Sequence, residues 1–530
     1  MDLIKKMLKY LFVLVIIVVL AFSLIAGILF LFPSVSLFGV RFAAKHKNDV
    51  AIETDSVLTK VNIETKNYDI VIVPNSEETV SNPDNTSLRV VIENNYTGYS
   101  KNGIVTTQIK KVGSEDYIDS TSFDSISLSN FKKGGELTIV LKEPEGIISY
   151  NTSKVAVYVP ETLTGIEYNL KTVAGKISFE KSVNDKTKVL STSNITLSVS
   201  SARGSFDLDN AYMQDGSDLI ISNYIGRVEI NSEKIGNVKI NSNSGNFTFK
   251  SIGYEGFTGG NLTVEGNNPY IRVTDTVYGS VTYTNVVTGF VEINEIKGDL
   301  IYESQNGILR VNKILGNIES SNNSGETTIK QINEAGKSVT SVSIQSESGI
   351  VRLGTDETDI YSLSSVTTKS GRVEVKNLCA TGTKIETTSG SVSVDFKNDG
   401  VKKALEVKTV SGQINLNNVY GEISASTQNS SKIYAKFLAF TGESSFTTDG
   451  GEVELVLPAP TNDTSKQYQL NVENKYNKLN VSVGDFVKTS FDGERDESQL
   501  YHFSQTFPQD KTTDNKINVK TNSGLVKIHE

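Results

Sequence analysis

Apolar and polar residues alternate with a period of two along most of the chain, which is the pattern of β-strands with one buried face. The clearest case is a pair of adjacent 18-residue segments, residues 289–306 (GFVEINEIKGDLIYESQN) and residues 307–324 (GILRVNKILGNIESSNNS). Both have Gly at position 1, apolar residues at positions 3 and 5, Asn at 6, Ile at 8 and Gly at 10. This agreement indicates an internal repeat.

The start of this repeat recurs through the middle of the chain at a mean spacing of about 21 residues. The starts are Gly175, Gly204, Gly226, Gly245, Pro269, Gly289, Gly307, Gly325, Gly349, Gly371, Gly390, Gly412, Ser431 and Gly451. A unit this short holds two or three strands and cannot bury its apolar face alone, so it must stack on its neighbours. The sequence therefore predicts an all-β fold, a parallel β-solenoid (β-helix) of about 13 coils of 18–24 residues.

Glycine and asparagine mark the predicted corners. The SG, NG, TG and AG pairs at the repeat starts supply a residue that accepts positive φ. Asparagine closes the strand at equivalent positions of four repeats, where it tolerates left-handed geometry and could form amide ladders between layers. These residues are Asn231, Asn294, Asn312 and Asn417. Between residues 160 and 458 the one proline is Pro269, as expected where each backbone N–H is needed for bonding between coils.

Residues 10–32 are uncharged and strongly apolar. As a helix they would reach about 34 Å, against about 30 Å for the hydrocarbon core of a bilayer. We therefore predict a transmembrane helix over residues 10–33 that acts as a signal anchor. The alternative is a cleaved signal peptide, with the three preceding lysines as its basic end and residues 34–36 as its cleavage site.

Charge bears on orientation and on partners. Three basic residues precede the apolar segment and three follow it, so the positive-inside rule gives a tie. We expect a cytoplasmic N-terminus and an extracellular C-terminal body, because a short basic tail before a long apolar helix is typical of an uncleaved signal anchor. Beyond residue 50 the chain has 46 basic and 59 acidic residues, a net charge of −13. Phosphate backbones would repel a body of this sign, so we expect no nucleic-acid partner.

These patterns divide the chain into six segments. They are a basic tail (1–9), the transmembrane helix (10–33), an interfacial linker (34–50), an N-terminal β-rich capping region (51–165), the repeat array (166–460) and a C-terminal β-rich capping region (461–530). Caps are expected because an open terminal layer would recruit strands from other molecules. The last fifteen residues, KINVKTNSGLVKIHE, return to the repeat pattern.

Several segments resemble a known family. KVAVYVPETLTGIEYNLKTVAGKISFE at residues 154–180, together with TTKSGRVEVKNL, IETTSGSVSVDF and VKTVSGQINLNNVYGEISAST, resembles the bacterial adhesin-like family of membrane-anchored β-solenoid repeat proteins, a domain of unknown function. The resemblance covers roughly residues 50–460 and the last fifteen. It implies an extracytoplasmic β-solenoid on a bacterial cell with an adhesive role, and it brings no functional residues.

The chain offers few residues for catalysis. One cysteine excludes a disulfide scaffold, and with three histidines it excludes Cys/His zinc clusters. His46, His502 and His529 are far apart in sequence, which disfavours a catalytic triad. Cys379 follows Asn377 in a repeat and is interpreted as a small core residue. We therefore assign no catalytic, cofactor-binding or metal-binding residue and expect no cofactor.

Three groups of side chains could still form sites. Asp356, Glu357 and Asp359 could coordinate Ca²⁺, but they lack the D-x-D-x-D-G pattern, which favours a solvated bulge. Carboxylates in adjacent layers could cleave a polysaccharide, although regularly spaced outward Glu also suits a soluble surface; they are Glu292, Glu303 and Glu319. Tyrosines could stack on sugars, although Tyr302 is equally consistent with an inward position; they are Tyr283, Tyr302, Tyr420 and Tyr434.

The resulting hypothesis is a single-span, non-enzymatic cell-surface protein. Its β-solenoid would act as an adhesin or a structural spacer, through multivalent binding of a glycan or a surface protein. One alternative is a membrane-tethered polymerising scaffold on the cytoplasmic side, which the tied charge count permits. The other is a carbohydrate-active β-helix enzyme. The sequence indicates no oligomeric state.

Overall fold

A computed structural model describes residues 2–31, 41–43, 46–53, 57–75, 88–100, 103–104, 106–119, 127–150, 152–182, 189–201, 203–222, 224–337, 340–475, 479–489 and 500–530. The chain divides into two compact units, residues 1–235 and residues 236–530. Within the described residues the regular structure is one long helix, many β-strands and two short 3₁₀ turns, Leu128–Asn130 and Thr464–Lys466. The predicted all-β class with an N-terminal apolar helix is confirmed.

Helix α1 (Asp2–Leu31) is long and apolar enough to cross a membrane. Its most apolar part, Lys6–Leu24, has a mean hydropathy of 2.7 and none of it is buried. The helix begins before the predicted residue 10 because six of the seven residues at 3–9 are Leu, Lys or Met, which favour helix. Residues 32–40 lie outside the described residues, and they include the first part of the predicted linker. Within the remainder of that linker, residues 41–43 and 46–50 belong to strands.

The strands of the first unit follow α1. They are β1 (Arg41–Ala43), β2 (His46–Glu53), β3 (Lys60–Glu64), β4 (Asp69–Asn75), β5 (Leu88–Asn94), β6 (Tyr96–Ser100), β7 (Gln108–Lys110), β8 (Tyr117–Asp119), β9 (Lys132–Lys133), β10 (Glu136–Lys142), β11 (Gly146–Tyr150), β12 (Lys154–Pro160), β13 (Ile166–Thr172), β14 (Lys176–Phe179), β15 (Leu190–Val199), β16 (Ser205–Asp207), β17 (Ala211–Met213), β18 (Asp218–Ser222) and β19 (Arg227–Ile230).

Parallel pairing in the first unit extends to its early strands. β10, β3, β13 and β15 pair in parallel in that order, and β15 also pairs in parallel with β17 and β18. A second sheet has the order β16-β14-β4-β12-β5-β2, in which β5 pairs antiparallel with both β12 and β2. A third sheet, β1-β6-β11, is antiparallel. Parallel strands therefore occur inside the predicted N-terminal capping region (51–165), whose capping role stays a prediction.

The strands of the second unit are β20 (Asn237–Asn241), β21 (Ser244–Phe249), β22 (Leu262–Glu265), β23 (Asn268–Val277), β24 (Val281–Val286), β25 (Phe290–Ile296), β26 (Leu300–Ser304), β27 (Ile308–Ile314), β28 (Ile318–Asn322), β29 (Glu326–Ile332), β30 (Val342–Ser346), β31 (Ile350–Leu353), β32 (Ser365–Thr368), β33 (Val373–Leu378), β34 (Thr383–Thr387), β35 (Val392–Phe396), β36 (Lys403–Thr409), β37 (Ile414–Thr427), β38 (Ile433–Ala439), β39 (Glu443–Thr448), β40 (Val453–Val456), β41 (Tyr468–Asn474), β42 (Leu479–Val483), β43 (Phe486–Lys488), β44 (Tyr501–Phe507), β45 (Lys516–Thr521) and β46 (Val526–His529).

These strands form a two-sheet β-solenoid. Sheet 1 has the parallel order β20-β22-β24-β26-β28-β30-β32-β34-β36-β37-β39-β45-β41, and sheet 2 has the parallel order β21-β23-β25-β27-β29-β31-β33-β35-β37-β38-β40-β46-β42. Each coil contributes one strand to each sheet, and β37 is long enough to serve both. The described strands of the second unit therefore form thirteen coils. At the edge of sheet 1, strand β44 pairs antiparallel with β41. At the edge of sheet 2, strand β43 pairs antiparallel with β42.

Period-two alternation places the core between the two sheets. In β27, Leu309, Val311 and Ile314 are buried, whereas Arg310 and Asn312 are exposed. Equivalent residues of consecutive coils stand opposite each other in the ladder, so apolar columns run from coil to coil. Each fully buried aliphatic side chain contributes about 1.5–3 kcal/mol, which no single coil could obtain without its neighbours.

Close packing between coils, not left-handed geometry, requires most of the corner glycines. A Cβ atom on Gly390 would overlap the carbonyl oxygen of Gly371, and one on Gly412 would overlap that of Gly390. Among the predicted glycine starts, φ is positive at Gly245 (144°) and at Gly325 (136°). The expectation that these glycines supply positive φ is therefore wrong for the other glycine starts. There the obstacle to a Cβ atom is a neighbouring backbone carbonyl or, at Gly204, Gly226, Gly289 and Gly307, a buried side chain.

A hydroxyl three residues before the glycine completes the corner. The Gly390 N–H donates to Thr387 Oγ1 (2.9 Å), and Thr409 Oγ1 donates to the carbonyl oxygen of Gly412 (2.8 Å). The same pairing recurs at Thr172, Ser346, Thr368, Thr448 and Thr521. The corner motif is therefore Thr/Ser-x-x-Gly, a spacing that is visible in the sequence but absent from the glycine-based prediction.

Some asparagines form an amide ladder and others adopt left-handed φ, but no described asparagine predicted for left-handed φ has it. The amide ladder exists, because Asn312 Nδ2 donates to Asn294 Oδ1 (2.9 Å) across one coil. Left-handed φ occurs instead at Asn333 (63°), Asn377 (50°) and Asn418 (59°), while the four asparagines predicted for it do not have positive φ. Asn294, Asn312 and Asn417 lie within strands and Asn231 directly follows one, so the turn of the backbone comes after them.

Candidate functional site

The interior of the second unit is filled with side chains and includes two of the candidate tyrosines. Tyr283 and Tyr302 are fully buried, with ring centroids 5.2 Å apart and an angle of 14° between the rings. Tyr283 donates a hydrogen bond to the carbonyl oxygen of Pro269 (3.1 Å). The hypothesis that these two residues stack on sugars is therefore wrong, because both occupy inward positions of their strands. Tyr420 and Tyr434 are half-buried at the surface.

The stacked aromatic pair on the outer face is a different one. Tyr270 and Phe290 lie opposite each other in sheet 2, with centroids 4.6 Å apart and rings nearly parallel (8°). The guanidinium carbon of Arg310 lies 5.5 Å from the centroid of the Phe290 ring. Both rings occupy position 2 of the repeat, directly after its start. Alternation from the inward positions 3 and 5 would have identified them as outward.

Arginine and glutamate alternate beside this pair and form ion pairs between coils. Arg272 Nε lies 3.4 Å from Glu292 Oε2. Glu326 lies between Arg310 (3.4 Å) and Arg352 (3.0 Å). Partial burial acts to raise the pKa of Glu326, but a threonine hydroxyl and the two guanidinium groups outweigh it and hold this pKa below its ordinary value. The face thus balances its own charges, and each exposed pair contributes about 0.2–1 kcal/mol.

The three candidate catalytic carboxylates do not converge. Glu292 belongs to sheet 2, whereas Glu303 and Glu319 belong to sheet 1. On sheet 1, Glu319 stands opposite Ile301 and Glu303 stands opposite Ser321, so the two carboxylates are offset along neighbouring strands. Glycoside hydrolysis needs two carboxyl groups facing one bond, and Glu292, on the other sheet, cannot share such a bond with Glu303 or Glu319.

The candidate calcium ligands are engaged by lysines. Asp356 Oδ1 lies 2.7 Å from Lys376 Nζ, and Asp359 Oδ1 lies 2.9 Å from Lys397 Nζ, while Glu357 is exposed. In the described part of the chain, no group of three or more His, Cys, Asp or Glu side chains could hold a metal ion. The geometry therefore favours the solvated bulge, with two of its charges neutralised.

Cys379 does not occupy the core position inferred for it. The buried residue at that place in the repeat is Leu378, which lies opposite Phe396 of the next coil. Cys379 comes one residue later and is half-buried. Burial, followed by the charges of Asp359 and Asp399, raises the pKa of its thiol to about 11. A thiol with so high a pKa is not an activated nucleophile.

The two described histidine side chains each face a glutamate. His529 Nε2 lies 3.1 Å from Glu454 Oε1, and His502 Nδ1 lies 3.8 Å from Glu473 Oε1. The side chain of His46 lies outside the described residues. Both described histidines lie on the outer face of the second unit, where each faces a glutamate. Neither forms part of a triad.

Two buried charges were not anticipated. Glu143, 2% exposed, accepts hydrogen bonds from the backbone N–H groups of Lys66 (2.6 Å) and Asn67 (2.9 Å). Burial raises the pKa of Glu143, although these donors act against it. Lys403, also 2% exposed, pairs with Asp399. Each of these two side chains closes a loop within its own unit. A single charged residue in the sequence gives no signal of that role.

Comparison with known families adds one finding. Residues 102–416, more than half of the chain, match the family model described as Toastrack DUF4097, a domain of unknown function. The chain belongs to the Toastrack family. The matched Toastrack range includes the 18-residue repeats, the charged face of sheet 2 and the Asp356 loop. No curated protein and no solved structure matches the chain.

The Toastrack assignment confirms the coarser part of the resemblance seen in the sequence, namely membership of a family of repeat domains. The match does not include helix α1 or the C-terminal segment beyond residue 416. The Toastrack model names no activity, ligand or catalytic residue, so function has to be argued from the surface of this chain.

Proposed function

We propose that this Toastrack protein is a single-span membrane protein whose solenoid acts outside a bacterial cell as an adhesin or structural spacer, through multivalent contacts and without chemistry. The observation that carries the proposal is the register of the two sheets. Because consecutive coils are paired residue by residue, equivalent outward side chains recur at the strand spacing of about 4.8 Å. Weak contacts with a repeating glycan or a surface protein can then add through effective concentration.

Helix α1 supports the membrane part of the proposal. Its apolar stretch is uncharged from residue 10 onward, and over Lys6–Leu24 it is not buried by any of the described residues. A bilayer would remove that surface from water at about 25 cal/mol per Å². A cleaved signal sequence would have the same composition, and the two are distinguished by whether the helix remains in the mature protein.

Protease shaving of intact cells tests the placement. Cells that make the full chain with a C-terminal epitope are treated with protease, and a known surface protein serves as the positive control. We expect loss of the epitope together with the surface protein, and retention of α1 in the membrane fraction. An epitope that stays protected until the cells are lysed would favour the cytoplasmic scaffold instead.

Adhesion under flow tests the role. Cells that display the full chain are compared with cells in which α1 is replaced by a cleavable signal, so that the same solenoid is released into the medium. We expect the anchored chain to retain cells on glycan-coated or protein-coated surfaces and the released chain not to. Turnover of a glycan by the purified chain, abolished by Glu→Gln changes on one face, would support the enzyme alternative.

A further inference from the structure

The last coil of the chain lies inside the stack of the second unit. β45 pairs in parallel with β39 on one side and with β41 on the other. β46 does the same with β40 and β42. The coils β39/β40 and β41/β42 are consecutive in the sequence, but the C-terminal coil, residues 515–530, separates them. β41 and β42 therefore obtain their inner partners only when the chain terminus is in place.

The C-terminal coil has the apolar pattern of its neighbours. Ile517, Val519, Val526 and Ile528 are each at most 1% exposed, and Thr521 is fully buried at the corner. The residues between them are polar and face outward. This segment thus fills two strand positions and contributes a complete inward face to the core.

Asn515 fixes the point at which the coil enters. Its Oδ1 accepts a hydrogen bond from the Gly442 N–H (3.0 Å), which precedes β39. Its Nδ2 donates to the carbonyl oxygens of Thr464 (3.0 Å) and Gln467 (2.9 Å), which precede β41. One side chain therefore contacts both coils between which the segment lies, and it sets the register of β45 against both.

Further contacts continue along the inserted strands. Asn471 Nδ2 donates to Asn518 Oδ1 (2.8 Å), and Asn518 Nδ2 donates to Glu443 Oε1 (2.6 Å), so an amide chain crosses three coils. At the corner, the buried Asn474 Nδ2 donates to the carbonyl oxygen of Gly524 (3.0 Å). The first two bonds require the amide side chain of Asn518, and the third joins Asn474 to the backbone of the corner.

The corner and the end of the coil are equally matched to the preceding coil. A Cβ atom on Gly524 would overlap the carbonyl oxygen of Gly451. Lys527 Nζ lies 3.1 Å from Glu452 Oε1. The His529 carbonyl oxygen accepts a hydrogen bond from the Leu457 N–H (2.8 Å). The fit therefore extends from residue 515 to residue 529.

Without this coil, four strands would each present an unpaired parallel edge: β39 and β40 on one side, β41 and β42 on the other. The far edges of β41 and β42 are already paired with β44 and β43. Unpaired edges bind extended chains by strand addition, and the empty core positions between them would select apolar side chains at alternate residues.

We propose that the space between β39/β40 and β41/β42 is a binding slot for a two-strand peptide, filled within one chain by residues 515–530. Its partner in trans is the same segment of a second copy of this chain. Exchange of the segment would link two copies without any new interface, because each contact above would form between copies instead of within one. The C-terminal coil thereby decides whether the protein is a closed monomer or an exchanged assembly.

A nicking experiment on the folded full chain tests the slot. A protease site is inserted after Asp510, in the exposed loop before the coil, and the purified chain is cut after folding. A fluorescent peptide of residues 511–530 is then added in excess. We expect the peptide to replace the resident segment at least tenfold more than the same peptide carrying Gly524→Val. A chain with the site inserted at Ala335, also exposed, is the matched control and should not take up peptide.

A chain truncated after Asp510 tests the partner. This chain keeps the slot but has no segment to donate. We therefore expect it to capture the segment of a full chain when the two are refolded together, giving a heterodimer by light scattering, and to release the full chain when excess 511–530 peptide is added. Hydrogen exchange should be fast at β39 and β40 until the peptide binds. A monomer in which these strands stay protected would overturn the proposal, because β41 and β42 would then have closed directly onto them. Equal uptake of the native and Gly524→Val peptides by the nicked chain would also overturn it, even if the truncated chain fails to fold.

Discussion

The corner glycines Gly371, Gly390 and Gly412 each lie against the carbonyl oxygen of the glycine one coil earlier, so a side chain there pushes two coils apart. Left-handed glycines in exposed loops differ, because open space surrounds them and only the backbone conformation restricts a replacement. Asparagine separates the two cases, since it tolerates left-handed φ but brings a Cβ atom.

We expect Gly412→Asn to lower the free energy of unfolding by about 3 kcal/mol, the upper part of the range for overpacking. The matched variant Gly336→Asn, at φ 73° with nothing within 4 Å of its Cβ, should cost less than about 1 kcal/mol. Urea unfolding followed by circular dichroism measures both. Equal costs would show that conformation rather than packing selects the corner glycines.

The corner hydroxyl gives a second test at the residue scale, in which substitutions of two adjacent threonines are compared. Thr387→Val removes the acceptor of the buried Gly390 N–H, and we expect a loss of about 1–3 kcal/mol. Thr388→Val changes an exposed side chain and should stay within about 0.5 kcal/mol. Thermal unfolding and the exchange rate of the Gly390 amide report the difference. A Thr387→Val chain as stable as Thr388→Val would remove the hydroxyl from the corner motif.

The sequence predicts inward and outward positions better than it predicts roles. Alternation placed Val291 and Leu309 in the core, and both are buried. For Tyr302 the sequence is consistent with both core and surface, because a tyrosine in a strand suits both until the register is known. The assignment of Cys379 to the core is one residue out of register because it counts from Asn377, which is residue 7 of its repeat. Counted from Gly371, the core position 8 is Leu378, as it is Val419 in the repeat that starts at Gly412.

At the scale of strands, outward charges connect neighbouring coils and respond to pH. Hydrogen bonds from Lys432 and His529 hold the pKa of Glu454 below its ordinary value. For Glu452, partial burial acts to raise the pKa, but Lys432 and Lys527 outweigh it and the pKa is again lowered. A carboxyl group whose pKa is lower in the folded state binds fewer protons there than when unfolded. Its stabilising effect is present above the unfolded pKa of about 4.3 and is lost as the pH falls through the folded value.

We therefore expect Lys432→Gln to lower the free energy of unfolding by about 1 kcal/mol at pH 7, with the difference from the parent chain shrinking as the pH falls below about 4. Lys436→Gln, exposed on the same stretch of chain, is the control and should change little at either pH. Urea titrations at pH 7 and pH 3 measure both variants. A Lys432→Gln deficit that persists unchanged at pH 3 would mean that the lysine acts by packing and not by charge.

Strand order within the second unit was only partly predictable. The return of the last fifteen residues to the repeat pattern was visible, and it implied that they join the solenoid. Their place between β39/β40 and β41/β42 was not visible, because a periodic pattern tells which strands can stack but not which neighbour each one takes. That choice depends on specific contacts such as those of Asn515 with Gly442 and Gln467.

At the scale of the molecule, the repeat predicted the fold because one physical requirement acts on every coil: an inward apolar face that only a neighbour can cover. The same requirement explains why the site was hard to predict. A surface made of equivalent coils has no single point at which the chemistry concentrates, and the candidate carboxylates, tyrosines and acidic loop were each chosen from spacing alone. The structure places them in different sheets, in the core or in ion pairs.

Nearest-neighbour stacking makes a prediction about the length of the second unit. Deleting residues 307–324 removes one whole coil and joins Asn306 to Gly325, so that β25 meets β29 and β26 meets β30 with inward residues still aligned. We expect this chain to stay folded, with a melting temperature lower by about 5 °C because one set of ion pairs between coils is lost. Deleting residues 307–315 instead removes β27 but keeps β28, so sheet 2 loses a strand that sheet 1 retains. That chain should lose its cooperative transition by circular dichroism. If the whole-coil deletion proves as disruptive as the half-coil deletion, the coils are not interchangeable stacking units.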